Sequence, residues 1–266
     1  MPQDSIIDTS KPNAGRIYDY LLGGSHNFEV DRHAADELIK LVPFLPKASR
    51  LQRWCLQDIA RELTERRGFD VIIDFASGLP TNDHMHAVVP KGTTVIYSDR
   101  DPVVVEYAKE ILAGAGNVYY FHAEATRPEE LLNRPEVTEI LKGRRHVALV
   151  YWGVSFFLKD DDIAHASRAL AEWSDPKSCF AFNAMGAVET PTDPQVQRLT
   201  QIYAQMGSPV YFRPLKRYQE ILAPWHADPG FVSLLDWHGV DKDIMTTTDQ
   251  SVWSNTSGMY GSYMVK

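Results

Sequence analysis

The chain has 266 residues, 44% hydrophobic and 23% charged, enough to bury a full core in one large α/β domain. With 27 basic against 35 acidic residues, a net charge of −8 and no long run of Lys or Arg, it lacks the footprint of a nucleic-acid binder. The two cysteines, Cys55 and Cys179, have no metal-ligand spacing. No apolar run nears the roughly 18 to 20 residues of a membrane span, and no export signal shows, so the expected setting is the cytoplasm.

In chain order, "RIYDYLLGGSHNF" mixes aromatics with a Gly23-Gly24 break, and "EVDRHAADELIKLV" follows as a short amphipathic helix. In the next helix, Leu51, Trp54, Cys55, Ile59 and Leu63 recur at steps of three and four and mark one face. From Asp70 onward, short apolar runs alternate with amphipathic segments, the pattern of βαβ units around a parallel sheet. The predicted strands are "DVIIDFA", "TTVIYSD", "NVYYFHA", "HVALVYWGV" and "SCFAFNA". Between them come predicted helices from Asn82 to Val89, Pro102 to Ala113, Pro128 to Leu141 and Asp160 to Trp173. Two further helical stretches, "TPTDPQVQRLTQIYAQMG" and "RPLKRYQEILA", precede a closing pair of strands, "GFVSLLDWHGV" and "GMYGSYMVK", expected to pair antiparallel at the sheet edge.

The stretch "VIIDFASGLPTND" runs a strand into a turn at the edge of the sheet where such folds bind nucleotide cofactors. Its three fingerprint places hold Ala76, Gly78 and Thr81 rather than three glycines, which disfavours a pyrophosphate cofactor such as NAD. No G-K-[ST] motif supports an NTPase. Asp99 ends the second strand, 21 residues after Gly78, a spacing suited to a carboxylate accepting hydrogen bonds from a ribose diol. Asp101 is the better placed N-cap for the helix from Pro102. Glu124 sits at the tip of the third strand, so Asp74, Gly78, Asp99 and Glu124 fall on successive strand tips. His84 and His86 lie two apart, which suits no two-histidine metal site; surface positions are the leading expectation, the alternative being that one of them faces the site. The carboxylates of "KDDD" stand where a helix dipole favours them.

These residues resemble the class I S-adenosylmethionine-dependent methyltransferases. More narrowly, "RIYDYLLGGSHNFEVDR", "DFASGLPT", "YSDRDPVVVEYAKEIL" and "VALVYWGVSFFLKDDD" are similar to a bacterial family of S-adenosyl methyltransferases long catalogued as a domain of unknown function. The resemblance implies a doubly wound, Rossmann-like, mostly parallel sheet of seven strands in the order 3-2-1-4-5-7-6. It also implies a division into an N-terminal helical extension, residues 1–68, folding over the cofactor as a lid, and a core, residues 69–266. S-adenosyl-L-methionine is the implied cofactor and S-adenosyl-L-homocysteine the product. Carried over by position, Asp74, Ala76, Ser77 and Gly78 lie by the methionine moiety, Asp99 and Arg100 by the ribose, Glu124 and Ala125 by the adenine, and Tyr151 by the methyl, with Gly23 in the lid. Three positions depart from the family pattern: Ala76 and Pro80 replace motif glycines, and Phe156 stands where relatives carry histidine.

Methyl transfer from a sulfonium is an in-line displacement that needs alignment, and a base only when the acceptor is protonated. Tyr18, Tyr20 and His26 in the lid and Tyr151 in the core are the candidates to touch the methyl region. The alternative for the N-terminal segment is an aromatic staple, with Gly23 capping a helix. The expected partner is a small or medium acceptor molecule. Two other functions stay open: a non-catalytic binder of the same cofactor, and an NAD(P)-dependent oxidoreductase.

Overall fold

The computed structural model describes residues 10–81, 83–186, 194–239 and 258–266. Three helices come first: α1 (Ala14–Leu21), α2 (Glu29–Leu41) and α3 (Leu45–Arg61), the last running on through a π-helical turn, Glu62–Arg66. There follow β1 (Val71–Phe75), β2 (Thr94–Asp99), α4 (Pro102–Ile111), β3 (Val118–His122), α5 (Pro128–Leu132), α6 (Pro135–Leu141), β4 (Ala148–Tyr151), α7 (Asp160–Trp173) and β5 (Cys179–Gly186). The chain continues with α8 (Pro194–Gln205), α9 (Leu215–Ile221), β6 (His226–Ser233), α10 (Leu234–His238) and β7 (Gly258–Val265).

The strands form one sheet in the order β3-β2-β1-β4-β5-β7-β6, as expected. The first five are parallel, and β7 inserts antiparallel between β5 and β6. Side chains alternate across a strand, so β1 serves two layers. Val71, Ile73 and Phe75 pack with α5, α6, α7 and α9, while Ile72 packs with α3, α4 and α10. The same alternation sends Asp74 to the face covered by α3. Each fully buried aliphatic side chain in these layers contributes about 1.5 to 3 kcal/mol.

Four local expectations are corrected. The helix predicted from Asn82 to Val89 is a single 3-10 turn, Met85–Ala87, with Asn82 outside the described residues; the His84 ring accepts the Met85 N–H and is itself buried, which ends any longer helix. The helix from Pro128 to Leu141 breaks into α5 and α6, because Arg134, preceding Pro135, takes extended backbone (φ −63°, ψ 138°). The strand "GFVSLLDWHGV" stops at Ser233, whose hydroxyl accepts the Leu235 N–H and caps α10; Gly239 ends that helix at φ 69°, and Val240 is outside the described residues. On α3, Trp54 is 40% exposed, and the buried face instead adds Leu56 and Ala60 to Leu51, Cys55 and Ile59.

The segment before β1 divides in its packing. Helix α3 is a layer of the core, whereas Ile17 and Leu21 of α1 and Ala35 and Leu38 of α2 cluster with Leu199, Ile202, Tyr203 and Met206 of α8. Arg16 fastens this group to the core. Its Nε donates to Asp31 Oδ2 (2.8 Å) and one terminal nitrogen to Asp101 Oδ2 (3.1 Å), both beneath the surface, and the other to the part-buried Lys11 carbonyl (2.7 Å). Asp101 also caps α4 by accepting the Val103 N–H at 2.8 Å.

Candidate functional site

The turn after β1 is built without a glycine-rich run. Ala76 takes the left-handed conformation usually left to glycine (φ 55°), and Gly78 does so at φ 64°. Neighbours hold the turn on both sides: Ser77 N–H donates to the Ser98 carbonyl (2.8 Å), Ser77 Oγ to the Asp74 carbonyl (2.8 Å), and the Tyr120 hydroxyl to the Gly78 carbonyl (2.7 Å). Gly78 N–H donates to Asp99 Oδ2 (3.1 Å), and Asp101 N–H donates to the other oxygen (2.9 Å). A Cβ built on Gly78 would meet nothing within 4 Å, so the bare backbone there borders open space.

Beneath the turn lies a group of buried titratable side chains. Burial pushes the Asp74 carboxyl up to about 8, against the lowering effects of its hydrogen bond with Ser77 and of the Arg53 cation. His84 is buried at 1% exposure rather than lying on the surface. Its Nδ1 accepts the Met85 N–H (2.9 Å) and lies 3.0 Å from the Tyr97 hydroxyl, which places its proton on Nε2, facing the Ser77 carbonyl at 3.3 Å. Burial first, then the Arg53 cation, holds it far below the usual histidine range, so it is neutral. His86 also reaches Tyr97, its N–H donating to the hydroxyl at 2.9 Å. Among the described residues no group of three or more His, Cys, Asp or Glu is placed to hold a metal ion.

Over this floor opens a cavity of about 240 Å³ at the carboxyl ends of the parallel strands. Asp74, Ala76, Ser77 and Gly78 line it after β1, Asp99 and Arg100 at the end of β2, and Glu124 and Ala125 after β3. Trp152, Gly153 and Val154 follow β4, and Arg53 and Gln52 enter from α3. The remaining wall is mostly apolar: Leu21 and Leu45, Phe156 and Phe157 of a turn after β4, and Leu199 and Tyr203 of α8. Burial raises the Asp99 carboxyl above its ordinary value, opposed by the two backbone N–H groups it accepts.

Not every residue singled out in the sequence faces this space. Tyr18 lines it, its hydroxyl donating to the Ser49 carbonyl (3.1 Å), and burial raises its pKa, which favours the protonated form. Tyr20 points outward to Asp36 (3.2 Å), and His26 stands edge-on to Tyr107 with ring centres 5.2 Å apart. Gly23 follows α1 at φ 84°, in a turn organised by Asp19, which accepts from the His26 N–H (2.8 Å) and the Asn27 side chain (2.9 Å). Tyr151 is 2% exposed and donates to the Ala125 carbonyl, supporting the cavity wall from behind. Asp160, expected to serve only the helix dipole, also pairs with Arg213 and Arg217 (2.7 Å for the latter).

Arg53 and Gln52 belong to the site without having been singled out for it, and His84 is the one of the two histidines that lines it. The available signal was "LQRWCL", two polar residues interrupting an apolar helix face. Gln52 Nε2 donates to Asn183 Oδ1 (2.9 Å), and the Trp152 indole donates to the Gln52 carbonyl (2.9 Å), which ties α3 to β5 and to the turn after β4.

A sheet of this order, with a cavity at its strand tips holding an acid at the end of β2 and a bare-backbone turn after β1, defines a Rossmann-like methyltransferase fold. The profile of the S-adenosyl methyltransferase family matches residues 1–261, and the chain belongs to that family. Two solved structures are similar over nearly the whole of both chains. One is a candidate methyltransferase from Thermobifida fusca, 29% identical with a TM-score of 0.84, covering 98% of this chain and 97% of that one. The other is a DUF574 family protein from Streptomyces avermitilis, 28% identical with a TM-score of 0.84, covering 98% and 99%. The fold is shared at 10% identity with the magnesium protoporphyrin IX methyltransferase of Synechocystis PCC 6803 with bound SAM (TM-score 0.52, 98% and 95% covered). No curated protein matches the chain.

Proposed function

We propose that the protein binds S-adenosyl-L-methionine in this cavity and transfers its methyl group to a small or medium acceptor, leaving S-adenosyl-L-homocysteine. The observation that carries the reading is the convergence of Asp74, Gly78, Asp99 and Glu124, from three adjacent strand tips, on one cavity. When bound, the cofactor supplies a methyl group on a sulfonium.

Asp99 has lone pairs left for a ribose diol after accepting two backbone N–H groups, and Glu124 and Ala125 frame the adenine end. Gly78 lets the ligand pass close to the main chain, and Asp74 offers a carboxyl at the same end of the cavity. The apolar side, with Phe156, Phe157, Leu199 and Tyr203, takes the acceptor. The protein's part is alignment and exclusion of water, with Gln52 and Trp152 fixing the wall. Among the described residues no helix is long and apolar enough to cross a membrane. The free, buried thiols of Cys55 and Cys179 support a reducing compartment such as the cytoplasm.

Calorimetry and thermal unfolding with S-adenosylhomocysteine and with NAD test this. At about 100 times Kd the homocysteine ligand should add about 2.7 kcal/mol of stability. Stabilisation by NAD in its place overturns the reading. Binding without turnover across an acceptor panel favours a cofactor-binding protein.

A further inference from the structure

Arg53 is a cation in the cavity wall whose hydrogen bonding is incomplete. Its side chain is 3% exposed, and among the described residues its Nε has no partner. One terminal nitrogen reaches Asp83 Oδ1 at a long 3.4 Å, and that same oxygen already accepts the Thr81 hydroxyl at 2.7 Å. The guanidinium also stands over the Tyr18 ring, 5.5 Å from its centre, and hydrogen-bonds with that side chain, which leaves the Nε position still unfilled among the described residues. A guanidinium carries five N–H donors, and a buried one left short of acceptors is costly to the free protein. A site of this kind calls for an anion from outside the chain, and the planar fork of Arg suits a carboxylate in two-point contact.

The position says which carboxylate. Arg53 enters from α3, the helix on Asp74's face of the sheet, and its cation acts on Asp74, Tyr18, His84, His86 and Tyr97. Glu124 and Arg100 lie at the other strand tips. The Asp74 end therefore presents a cation and an acid in one cavity, a complement to the carboxylate and ammonium of an amino acid.

We propose that Arg53 binds the α-carboxylate at the amino-acid end of the cofactor. This rests on the cofactor reading above. It makes Arg53 a binding residue supplied by the helical segment before β1, and gives the site a means of distinguishing the cofactor from nucleosides that lack the amino acid.

The test compares S-adenosylhomocysteine with its decarboxylated analogue, S-(5′-adenosyl)-3-thiopropylamine, by calorimetry on wild type, Arg53→Met and Arg53→Lys. Wild type should prefer the homocysteine ligand by about 10- to 100-fold. Arg53→Met should lose that preference, its affinity for the analogue staying within about twofold of wild type, and Arg53→Lys should fall between. Equal affinity of wild type for the two ligands overturns the proposal with no variant needed. So does an Arg53→Met protein that binds both ligands equally weakened, or both unchanged. Wild type that binds neither ligand overturns the cofactor reading itself, a distinct result.

Discussion

The backbone N–H of Gly78 donates to a carboxylate oxygen of Asp99 at 3.1 Å, fastening the turn after β1 to the tip of β2 across 21 residues of chain. Asp99 thus holds the loop as well as facing the cavity. Asp99→Ala should weaken S-adenosylhomocysteine binding by about 10-fold or more and also cost about 1 to 3 kcal/mol of stability, because two backbone donors lose a charged acceptor. Calorimetry reads the first and urea unfolding the second. Lost binding at wild-type stability would show that the carboxylate serves only the ligand.

Ala76 occupies a left-handed conformation at φ 55°, which costs a residue with a Cβ about 1 to 2 kcal/mol. Ala76→Gly should raise stability by about 1 kcal/mol despite the extra entropy of glycine in the unfolded chain. Ala76→Val, β-branched at the same φ, should lower it by more than Ala76→Gly raises it. Chemical denaturation of the three proteins decides; a valine variant as stable as wild type contradicts the strain.

The Asp74 carboxyl is pushed up to about 8 by burial, so in the ligand-free protein the folded state holds its proton more tightly than the unfolded state does. Its contribution to stability is complete below about pH 4 and is lost as pH rises through about 8. Asp74→Asn has no such proton to lose. Its stability relative to wild type should therefore climb between about pH 4 and pH 8, by an amount on the order of a few kcal/mol. A pH-independent difference in urea unfolding would mean that Asp74 ionises normally.

Asp31 accepts from Arg16 at 2.8 Å and from the N–H groups of Asn13 and Phe28 at 2.9 Å each. Asp31→Ala leaves Arg16 buried with one carboxylate where it had two, and should cost about 3 to 5 kcal/mol. The loss should show first as proteolytic cleavage within α1 and α2, since both pack on α8 and not on the sheet. Unfolding that stays a single transition, with no early cleavage, would show that these helices are one unit with the core.

Much of this was legible in the sequence because strand-tip chemistry is local. The run "VIIDFA" declares a strand by its apolar residues, the acid ending "TTVIYSD" declares a tip by position, and their spacing places both on one edge of a parallel sheet. Asp74, Gly78, Asp99 and Glu124 could be named because each follows directly from where a strand stops. Tyr20 and His26 enter the reading through the lid that the resemblance implies and through their aromatic character, but a side chain's direction on a short helix or in a turn depends on what that element packs against.

Sequence alone therefore determined the sheet, the family and the edge at which the cavity lies, through periodicity and motif spacing. Tertiary structure decided what surrounds that edge. His84 is buried because Tyr97, from the next strand, closes over it, and among the described residues the Arg53 Nε is left without a partner because α3 presses it into the cavity wall, where only a terminal nitrogen reaches Asp83. Burial and missing partners are properties of packed surfaces contributed by distant segments, and they arise only once those segments meet.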